Sequence, residues 1–594
     1  MTGAVTGATD RSMEPSMEPS TGRSTEQSFE GSMRRSPSLV ARAATAITLL
    51  YSAFGVMSIL LALTPAVRAV AEQVDFERNA WVYVLGWPSF GYGTLLLLLA
   101  RSLRKRKRAA WRVLAAVVTL NTLGAVALVL TYRNAQAWAV LAVFVLLLAV
   151  VLYAQPAFTV LGDPKNLRAA VRVLAVLLGV CLLLGSTLVT VLDASHAGYL
   201  QHLAYTFTAA LTSVELFEPG PLTLQLPHWV GVLLNTIGTL ALLGAGWALF
   251  GPRRDQRAHT AADDAALRRL LATAGPQDSL GYFALRPDKS LVFSASGKAA
   301  IAYRTIGDVC LASGDPLGHS SAWPEVIEAW RMLLREHGWI PAVLGASERG
   351  AQAYATAGLD ALELGDEAVV DTTTFSLEGR AVRSLRQAVN RVARTGMSVR
   401  LRRQGDVAPA ELVRLAELAE HWRAGEVERG FSMALGRVGE PGDDDLLIAE
   451  CLDAQGRSCA LLTFVPWGRD GLSLDLMRRD RDVELNGLTE FAVTSVLTHA
   501  PELGVQRVSL NFAVFRTAFD RGGRLGAGPV LRLWRRVLTF GSRWWQLESL
   551  YRANVKYQPQ WTPRFLCFAS ARDVPKIGIA AARAEGFLPS KLPG

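Results

Sequence analysis

Long, nearly uninterrupted apolar runs fill the chain from Ala43 to Phe250, and beyond Gly251 they give way to short apolar segments separated by polar ones. About 20 mostly apolar residues suffice for a helix to cross a bilayer. Six such runs are predicted: Ala43–Val67, Trp81–Ala100, Val113–Thr131, Ala137–Tyr153, Val171–Leu192 and Trp229–Phe250. Trp81, Trp138 and Trp229 stand at span edges, where the bilayer interface favours indole. Between the last two runs, Tyr199–Leu216 has apolar residues at helical spacing, broken by Gln201, His202 and Glu215. This segment reads as an interfacial or re-entrant helix, and the status of 195–226 stays open. Polar residues inside the spans are scarce, which argues against an ion pump and for an anchor that helps admit lipid.

From Ala261 the pattern alternates between strand and helix periods. Strands are expected at Ser290–Ser294, Ala299–Arg304, Val309–Ala312 and Ala342–Leu344, with helices at Pro324–His337 and Glu348–Ala357. A second set follows, with strands at Ser398–Arg402, Ser458–Pro466, Ser473–Arg478 and Arg507–Asn511 and helices at Ala408–Arg423 and Leu488–Ala500. Two α/β units in tandem fit this order. Between them, Phe375–Thr395 is expected to be an amphipathic helix, with Arg380, Arg383, Arg386, Arg391 and Arg394 on one broad face and Val382, Leu385, Val389 and Val392 opposite. No acidic residue follows Glu378 in this stretch, so the face is a candidate for binding phosphate.

Charge orients the apolar half. Arg34, Arg35 and Arg42 precede the first run, Arg101 to Arg108 form a basic cluster after the second, Lys165 and Arg168 follow the fourth, and Arg253, Arg254 and Arg257 follow the sixth. The alternate loops hold only Arg68, Arg78 and Arg133, so the positive-inside rule places both termini in the cytoplasm. Residues 1–38, rich in Ser, Thr, Gly, Glu and Met, are read as a disordered tail. The net charge of +10 favours anionic partners, nucleic acid or acidic lipid.

Common signatures are missing. The sequence has no G-x-x-x-x-G-K-[ST] loop, no H-E-x-x-H and no G-x-S-x-G elbow, and its five cysteines form no C-x-x-C pair. That disfavours P-loop nucleotide, metal-hydrolase and serine-esterase chemistry. Positioned polar side chains remain. Asp475 and Arg478 lie in one strand, where regular alternation would put them on opposite faces unless the strand turns near Met477. A basic-aromatic stretch from Val530 to Trp561 suits stacked nucleotide ends, a membrane interface or a core helix with snorkelling arginines.

At these residues the chain resembles the aminoacyl-phosphatidylglycerol synthases, the multiple peptide resistance factor family, in its actinobacterial lysyltransferase branch. The resemblance covers roughly Asp288 to Leu588 and rests on Asp288-Lys-Ser, Gly314-Asp-Pro-Leu-Gly318, Phe375 to Arg391, Gly430-Phe-Ser-Met433, Asp475-Leu-Met-Arg478, Asn486-Gly487 with Glu490, Asn511-Phe512, and Lys556 to Arg564. It implies a polytopic α-helical membrane domain (39–256) followed by a cytoplasmic α/β region of two tandem acetyltransferase-like (GNAT) folds, 257–374 and 396–594, joined by the basic helix 375–395. It implies transfer of an amino acid, lysine by branch, from aminoacyl-tRNA to the glycerol hydroxyl of phosphatidylglycerol at the inner leaflet of the plasma membrane, and through that resistance to cationic peptides. One ester replaces another, so no cofactor or metal is implied. Asp475 and Arg478 would be catalytic; Asn486, Glu490, Asn511, Lys556 and Arg564 would line the substrate site; Arg380, Arg383, Arg386, Arg391 and Arg394 would meet tRNA phosphates. Some relatives carry a fused lysyl-tRNA synthetase; here, with the chain stopping at Gly594, charged tRNA is expected from a separate enzyme. The transferred amino acid, diacylglycerol as acceptor, a flippase or scaffold role, and a homo-oligomer stay open.

Overall fold

The computed structural model describes residues 37–63, 90–160, 164–193, 198–211, 224, 226–250, 259–272, 278–424, 430–514 and 553–588. The expected N-terminal tail therefore lies outside the described residues apart from its last two positions, as does the basic-aromatic stretch between 530 and 552.

The apolar half forms helices α1 (Pro37–Leu63), α2 (Phe90–Arg104), α3 (Arg108–Tyr132), α4 (Ala135–Tyr153), α5 (Pro164–Leu192), α6 (Tyr199–Leu211) and α7 (His228–Leu249). Five of them, α1, α3, α4, α5 and α7, are long and apolar enough to cross a membrane. The expected span Trp81–Ala100 is described only in its second part, within α2; residues 81–89 lie outside the described residues. Large apolar side chains such as Leu120, Leu146, Leu183 and Leu240 face outward, the inverse of a water-soluble surface and the arrangement that lipid favours. Helix contact depends on small residues: a Cβ on Gly55 of α1 would stand 2.9 Å from the Gly93 carbonyl oxygen of α2. Close backbone approach is how helices gain packing energy where lipid removes the hydrophobic drive.

The segment α6 packs against both α5 and α7, which also pack on each other. His202 on α6 is buried, with Nε2 2.9 Å from Asp193 Oδ2 and Nδ1 3.0 Å from Thr190 Oγ1. These polar groups satisfy one another, as buried polar groups must.

The basic cluster predicted between α2 and α3 is a joint. Val160 after α4 exchanges backbone hydrogen bonds with Arg106 and Arg108. Lys105 Nζ lies 3.0 Å from Asp308 Oδ2, in the turn between the second and third strands of the α/β region. Gly338 approaches the same place; a Cβ there would sit 2.9 Å from Val160 Cγ1.

Beyond α8 (Ala261–Leu271), strands β1 (Ser290–Phe293), β2 (Ala299–Ile306), β3 (Val309–Ser313), β4 (Leu317–Gly318), β5 (Ile340–Ala346) and β6 (Asp360–Asp371) alternate with helices α9 (Trp323–His337) and α10 (Glu348–Thr356). Helix α11 (Arg383–Ala393) leads to β7 (Ser398–Arg403), α12 (Pro409–Arg423), β8 (Leu447–Leu452), β9 (Ser458–Trp467), β10 (Gly471–Arg479), α13 (Leu488–His499), β11 (Arg507–Val514), β12 (Gln560–Phe568) and α14 (Val574–Ala584). Each half is a run of antiparallel strands ending in one parallel pair, β3 with β5 and β10 with β11. That repeated layout is the tandem acetyltransferase-like architecture.

The halves share one sheet in the order β1-β2-β3-β5-β12-β6-β11-β10-β9-β8-β7, with β4 paired to β2. Two strands are exchanged. β12, from the end of the chain, lies between β5 and β6; β6, from the first half, pairs with β11 of the second. Pro563 is tolerated in β12 because it pairs with β6 on one side before pairing to β5 begins at Phe565. Helix α14 then folds back onto β2 and β3 of the first half. Strands β4, β6, β8 and β12 carry no expectation from the sequence, and the linking helix starts later than expected, at Arg383, leaving Arg380 in the preceding turn.

Because β12 occupies the middle of the sheet, ending the chain before Gln560 should unfold both halves. Limited proteolysis of the truncated chain is expected to leave no resistant fragment spanning β1 to β6; a stable one would show that the first half closes its sheet unaided.

Candidate functional site

The parallel pair in the second half opens into a splay. β10 and β11 pair only over Gly471–Ser473 and Arg507–Ser509. Immediately beyond, each gains one extra residue against its antiparallel partner: between Leu474 and Met477 in β10, and between Ser509 and Phe512 in β11. Such bulges bend strands and re-aim side chains. Asn511 lies in the second bulge with φ 68°, a left-handed conformation that Asn tolerates better than most residues. Its Nδ2 donates to the Leu474 carbonyl oxygen at 2.8 Å, across the opening. Its Oδ1 is buried and accepts no hydrogen bond among the described residues.

The first bulge decides how Asp475 and Arg478 lie. The strand does not end at Met477; it continues to Arg479. The extra residue resets its alternation instead. Asp475 reaches Thr463 of β9, and Arg478 pairs opposite Leu461, two positions away, so both project from one face. Asp475 is buried, and its Oδ1 accepts from Leu435 N at 2.6 Å and Gly436 N at 3.2 Å. It thereby holds the loop 430–436, whose other end is held by Glu585 through the backbone N–H groups of Phe431 and Ser432. The Lys289 ammonium sits over the Phe431 ring, and burial pushes its pKa down to about 7.

Three more predicted residues come from the elements around the splay. Lys556 Nζ lies 2.8 Å from Glu490 Oε1 on α13. Burial alone would raise Glu490, but the hydrogen bond and charge of Lys556, a backbone N–H and the Arg479 charge together outweigh it and leave its pKa lowered. Asn486 is exposed at the entrance to α13, just before Gly487, whose φ of 99° starts the helix. Arg383, Arg391 and Arg394 are exposed together on the face of α11 opposite buried Leu385 and Val392. Arg386 is used internally, donating to the Leu377 carbonyl oxygen at 2.6 Å.

Arg564, expected among the substrate residues, is 3% exposed at the seam between the halves. It donates to Glu367 Oε2, to Asp278 Oδ1 at 2.6 Å and to Ser279 Oγ at 2.5 Å. Glu367 also accepts from Ser279 and from Ser509, the residue beside the splay. Burial by itself would raise Glu367; Arg564 and the two hydroxyls more than reverse this, so its pKa is lowered. Over this network lies a cavity of about 790 Å³, lined among others by Asp315, Trp323, Ser347, Glu367, Arg507 and Arg564. Of these only Arg564 was expected in a site. The one hint was acidic Glu363 and Glu367, four residues apart inside an otherwise strand-like run.

The architecture is that of a helical region with spans long and apolar enough to cross a membrane, followed by tandem acetyltransferase-like folds. The chain belongs to the family described as phosphatidylglycerol lysyltransferase, C-terminal, whose model matches residues 268–568. Residues 39–250 match the transmembrane region of lysyl-tRNA synthetase. Similar relatives are the lysylphosphatidylglycerol biosynthesis bifunctional proteins LysX of Rhodococcus opacus, 44% identical over 543 residues, and of Mycobacterium tuberculosis H37Rv, 43% identical over 547. These alignments take in 91% and 90% of this chain but 48% and 46% of the relatives, so the chain spans about half their length. Among solved structures, L-PGS from Bacillus licheniformis is similar at 22% identity and a TM-score of 0.48, covering 55% of this chain and 97% of that one.

Glu367→Gln leaves the buried Arg564 guanidinium with Asp278 as its carboxylate partner and a neutral amide in place of the second, so the cost should fall below the about 3–5 kcal/mol of a buried charge left wholly unpaired. A clear fall in the thermal midpoint of the detergent-solubilised chain is expected. The pH sign follows from the lowered pKa of Glu367: its stabilisation is present above the ordinary carboxylate range, about 4.3, and is lost as pH falls below it. The wild-type midpoint should drop on acidification below that range, and Glu367→Gln should blunt the drop.

Proposed function

We propose that the chain transfers a lysyl group from an aminoacyl-tRNA to the glycerol hydroxyl of phosphatidylglycerol. The observation that carries this reading is the splay between β10 and β11, with an unsatisfied amide acceptor at Asn511 and with Asp475 and Arg478 on one face beside it. Family membership supports the lysyl group and the lipid.

In the reaction the lipid hydroxyl attacks the carbonyl carbon of the donor ester. A new ester C–O bond forms, the bond to the ribose oxygen breaks, and the proton lost by the attacking hydroxyl ends on the leaving ribose oxygen. The protein must align two substrates, exclude water and stabilise the oxyanion. Asn511 Oδ1 suits the α-ammonium of the aminoacyl group. Arg478 suits the developing oxyanion or the lipid phosphate. Asp475, with its Oδ1 committed to backbone N–H groups, acts as a positioning residue for the loop 430–436. Lys556, tethered by Glu490, adds positive charge for phosphate, and Asn486 stands exposed near that pair in sequence. The donor would run along Arg383, Arg391 and Arg394, a cationic face with no acidic residue on its helix.

The lipid is argued from attachment. Lys105, paired with Asp308, and Val160, packed beside Gly338, bring the α/β region to the end of the membrane-spanning helices that carries the basic loop. By the positive-inside rule that end is cytoplasmic, where charged tRNA and the inner leaflet meet. Both termini belong to the same side in this reading.

Lipid mass spectrometry of cells with and without the chain tests donor and acceptor together. The expected increment is one lysyl residue on phosphatidylglycerol; the same increment on diacylglycerol, or none, would refute the proposal. Asp475→Ala should lower product on the order of 100-fold at unchanged protein level, the scale of a misplaced reacting group. Arg383→Gln with Arg391→Gln should weaken tRNA use and reduce its log–log salt slope by about two. An unchanged slope would remove α11 from the donor path.

A further inference from the structure

The loop 430–436 forms neither helix nor strand, yet it is buried: Phe431 and Ser432 are fully enclosed, and Ala434 and Leu435 nearly so. Its backbone groups must therefore find partners outside any ladder. The partners are charged side chains. Asp475 takes the Leu435 and Gly436 N–H groups, beside the splay. Glu585, directly after α14, takes the Phe431 N–H at 2.6 Å and both the N–H and the hydroxyl of Ser432, at 3.2 and 2.6 Å. Arg286, just ahead of β1, donates through Nη1 to the carbonyl oxygens of Gly430 and Ala434, the latter at 2.8 Å.

These clamps come from distant places. Asp475 belongs to β10 of the second half, Arg286 to the first half, and Glu585 to the end of the helix that folds back onto β2 and β3. Arg286 is itself fixed by Asp288 at 2.8 Å, which also pairs with Arg304 of β2 at 2.9 Å. The segment around Arg286 grips the far end of the loop as well. Arg437 Nη1 donates to the Leu285 carbonyl oxygen at 3.3 Å, while its Nε lies 2.9 Å from Asp443. Between the clamps, Lys289 of the first half sits with Nζ 4.7 Å from the Phe431 ring centroid. Gly430, at φ 108°, turns the loop so tightly that a Cβ there would stand 2.8 Å from the Ala434 Cβ. So compact and close-packed a loop passes a displacement at one clamp to the others.

We propose that Arg286 and Glu585 are positioning residues for the transfer: with Asp475 they fix the loop 430–436 as one wall beside the splay, so that a change at either is felt at Asp475. The role in transfer rests on the lysyl-transfer reading; the mechanical coupling of the three clamps does not. By this assignment the first half takes part in transfer without touching either substrate.

Hydrogen bonds between an ionised side chain and a backbone group are roughly twice as strong as neutral ones. Neutral replacements therefore loosen a clamp while nearly filling its space. Glu585→Gln offers one acceptor oxygen to groups that use two, and Arg286→Gln removes the charge and shortens the reach to both carbonyl oxygens. Since neither residue faces a substrate, a loosened clamp should disturb the alignment of the reacting groups and leave substrate binding alone. That separates kcat from KM.

Hydrogen exchange of the full chain in detergent, read at single amides, tests the coupling; kinetics in phosphatidylglycerol proteoliposomes with lysyl-tRNA as donor test the role. In Arg286→Gln and in Glu585→Gln the Leu435 and Gly436 amides, which neither residue touches, should exchange at least about tenfold faster, the scale of one charge-assisted hydrogen bond, with β8 unchanged. On the same scale kcat should fall about tenfold, at near-constant KM for both substrates. Arg286→Lys, which keeps the charge, should restore part of the loss. Either glutamine substitution added to Asp475→Ala should cost little more, because all three act through one loop. Where a glutamine variant does not fold, Arg286→Lys and Glu585→Asp carry the same tests with smaller effects. Unmoved exchange at Leu435 and Gly436, faster exchange throughout the sheet, a raised KM with kcat held, or full additivity with Asp475→Ala would overturn the proposal. A wild-type chain that makes no lysyl lipid would fault the transferase reading, and the exchange at Leu435 and Gly436 would still decide the coupling.

Discussion

A guanidinium can be kept from water only if its charge and its N–H groups are answered. Arg564 is answered by Asp278 and Ser279 before β1, by Glu367 on β6 and by the Gly345 carbonyl oxygen on β5. These groups all come from the first half whereas Arg564 comes from β12 near the end of the second, so β12 and the first half hold their places only together. The exchange of β6 and β12 follows: each half supplies the strand that covers the other's otherwise open edge. Exposed sheet edges invite unwanted pairing, and two half-sheets that close each other remove one edge apiece.

The same network reaches the candidate site. Glu367 accepts from Ser509, and Asn511 N donates to Ser509 Oγ at 3.2 Å. Ser473, on the other side of the parallel pair, donates to the Ser279 carbonyl oxygen at 2.8 Å. The last paired residues before the splay are thus pinned to the seam. Beyond them the two bulged strands are free to part, and Asn511 bridges the gap to Leu474. The opening is a consequence of where pairing stops and of what holds it up to that point.

Membrane attachment is handled by a small joint. The basic loop lies against the β2–β3 turn through Lys105 and Asp308, and Gly338 leaves room for Val160. Burial and the Lys105 partner act in opposite directions on Asp308, and the partner prevails, leaving its pKa lowered. An ion pair half open to solvent contributes modestly; combined with the backbone pairing of Val160 to Arg106 and Arg108 it fixes an orientation more than it adds stability.

Much of this was legible from local pattern. The apolar runs declared the membrane-spanning helices because a bilayer demands a length and composition that nothing else imitates. Helices α9 and α13 and strands β2, β3 and β9 were readable because each buries one side at its own period. The arginines of α11 were readable because apolar and basic positions separate on a helical wheel, although Arg386 was drawn inward to cap a loop and Arg380 fell outside the helix. What composition and periodicity could not supply was pairing between distant segments. The central place of β12 and the cavity above the Arg564 network depend on contacts between distant segments, and those of Arg564 itself span 197 residues or more. The shared face of Asp475 and Arg478 depends on a single extra residue in β10 that alters no pattern along the chain. Local sequence determined which elements form and which side of each is buried, because those are short-range free energies. Which strands meet, and therefore which side chains converge, was decided only when the two half-sheets closed on each other.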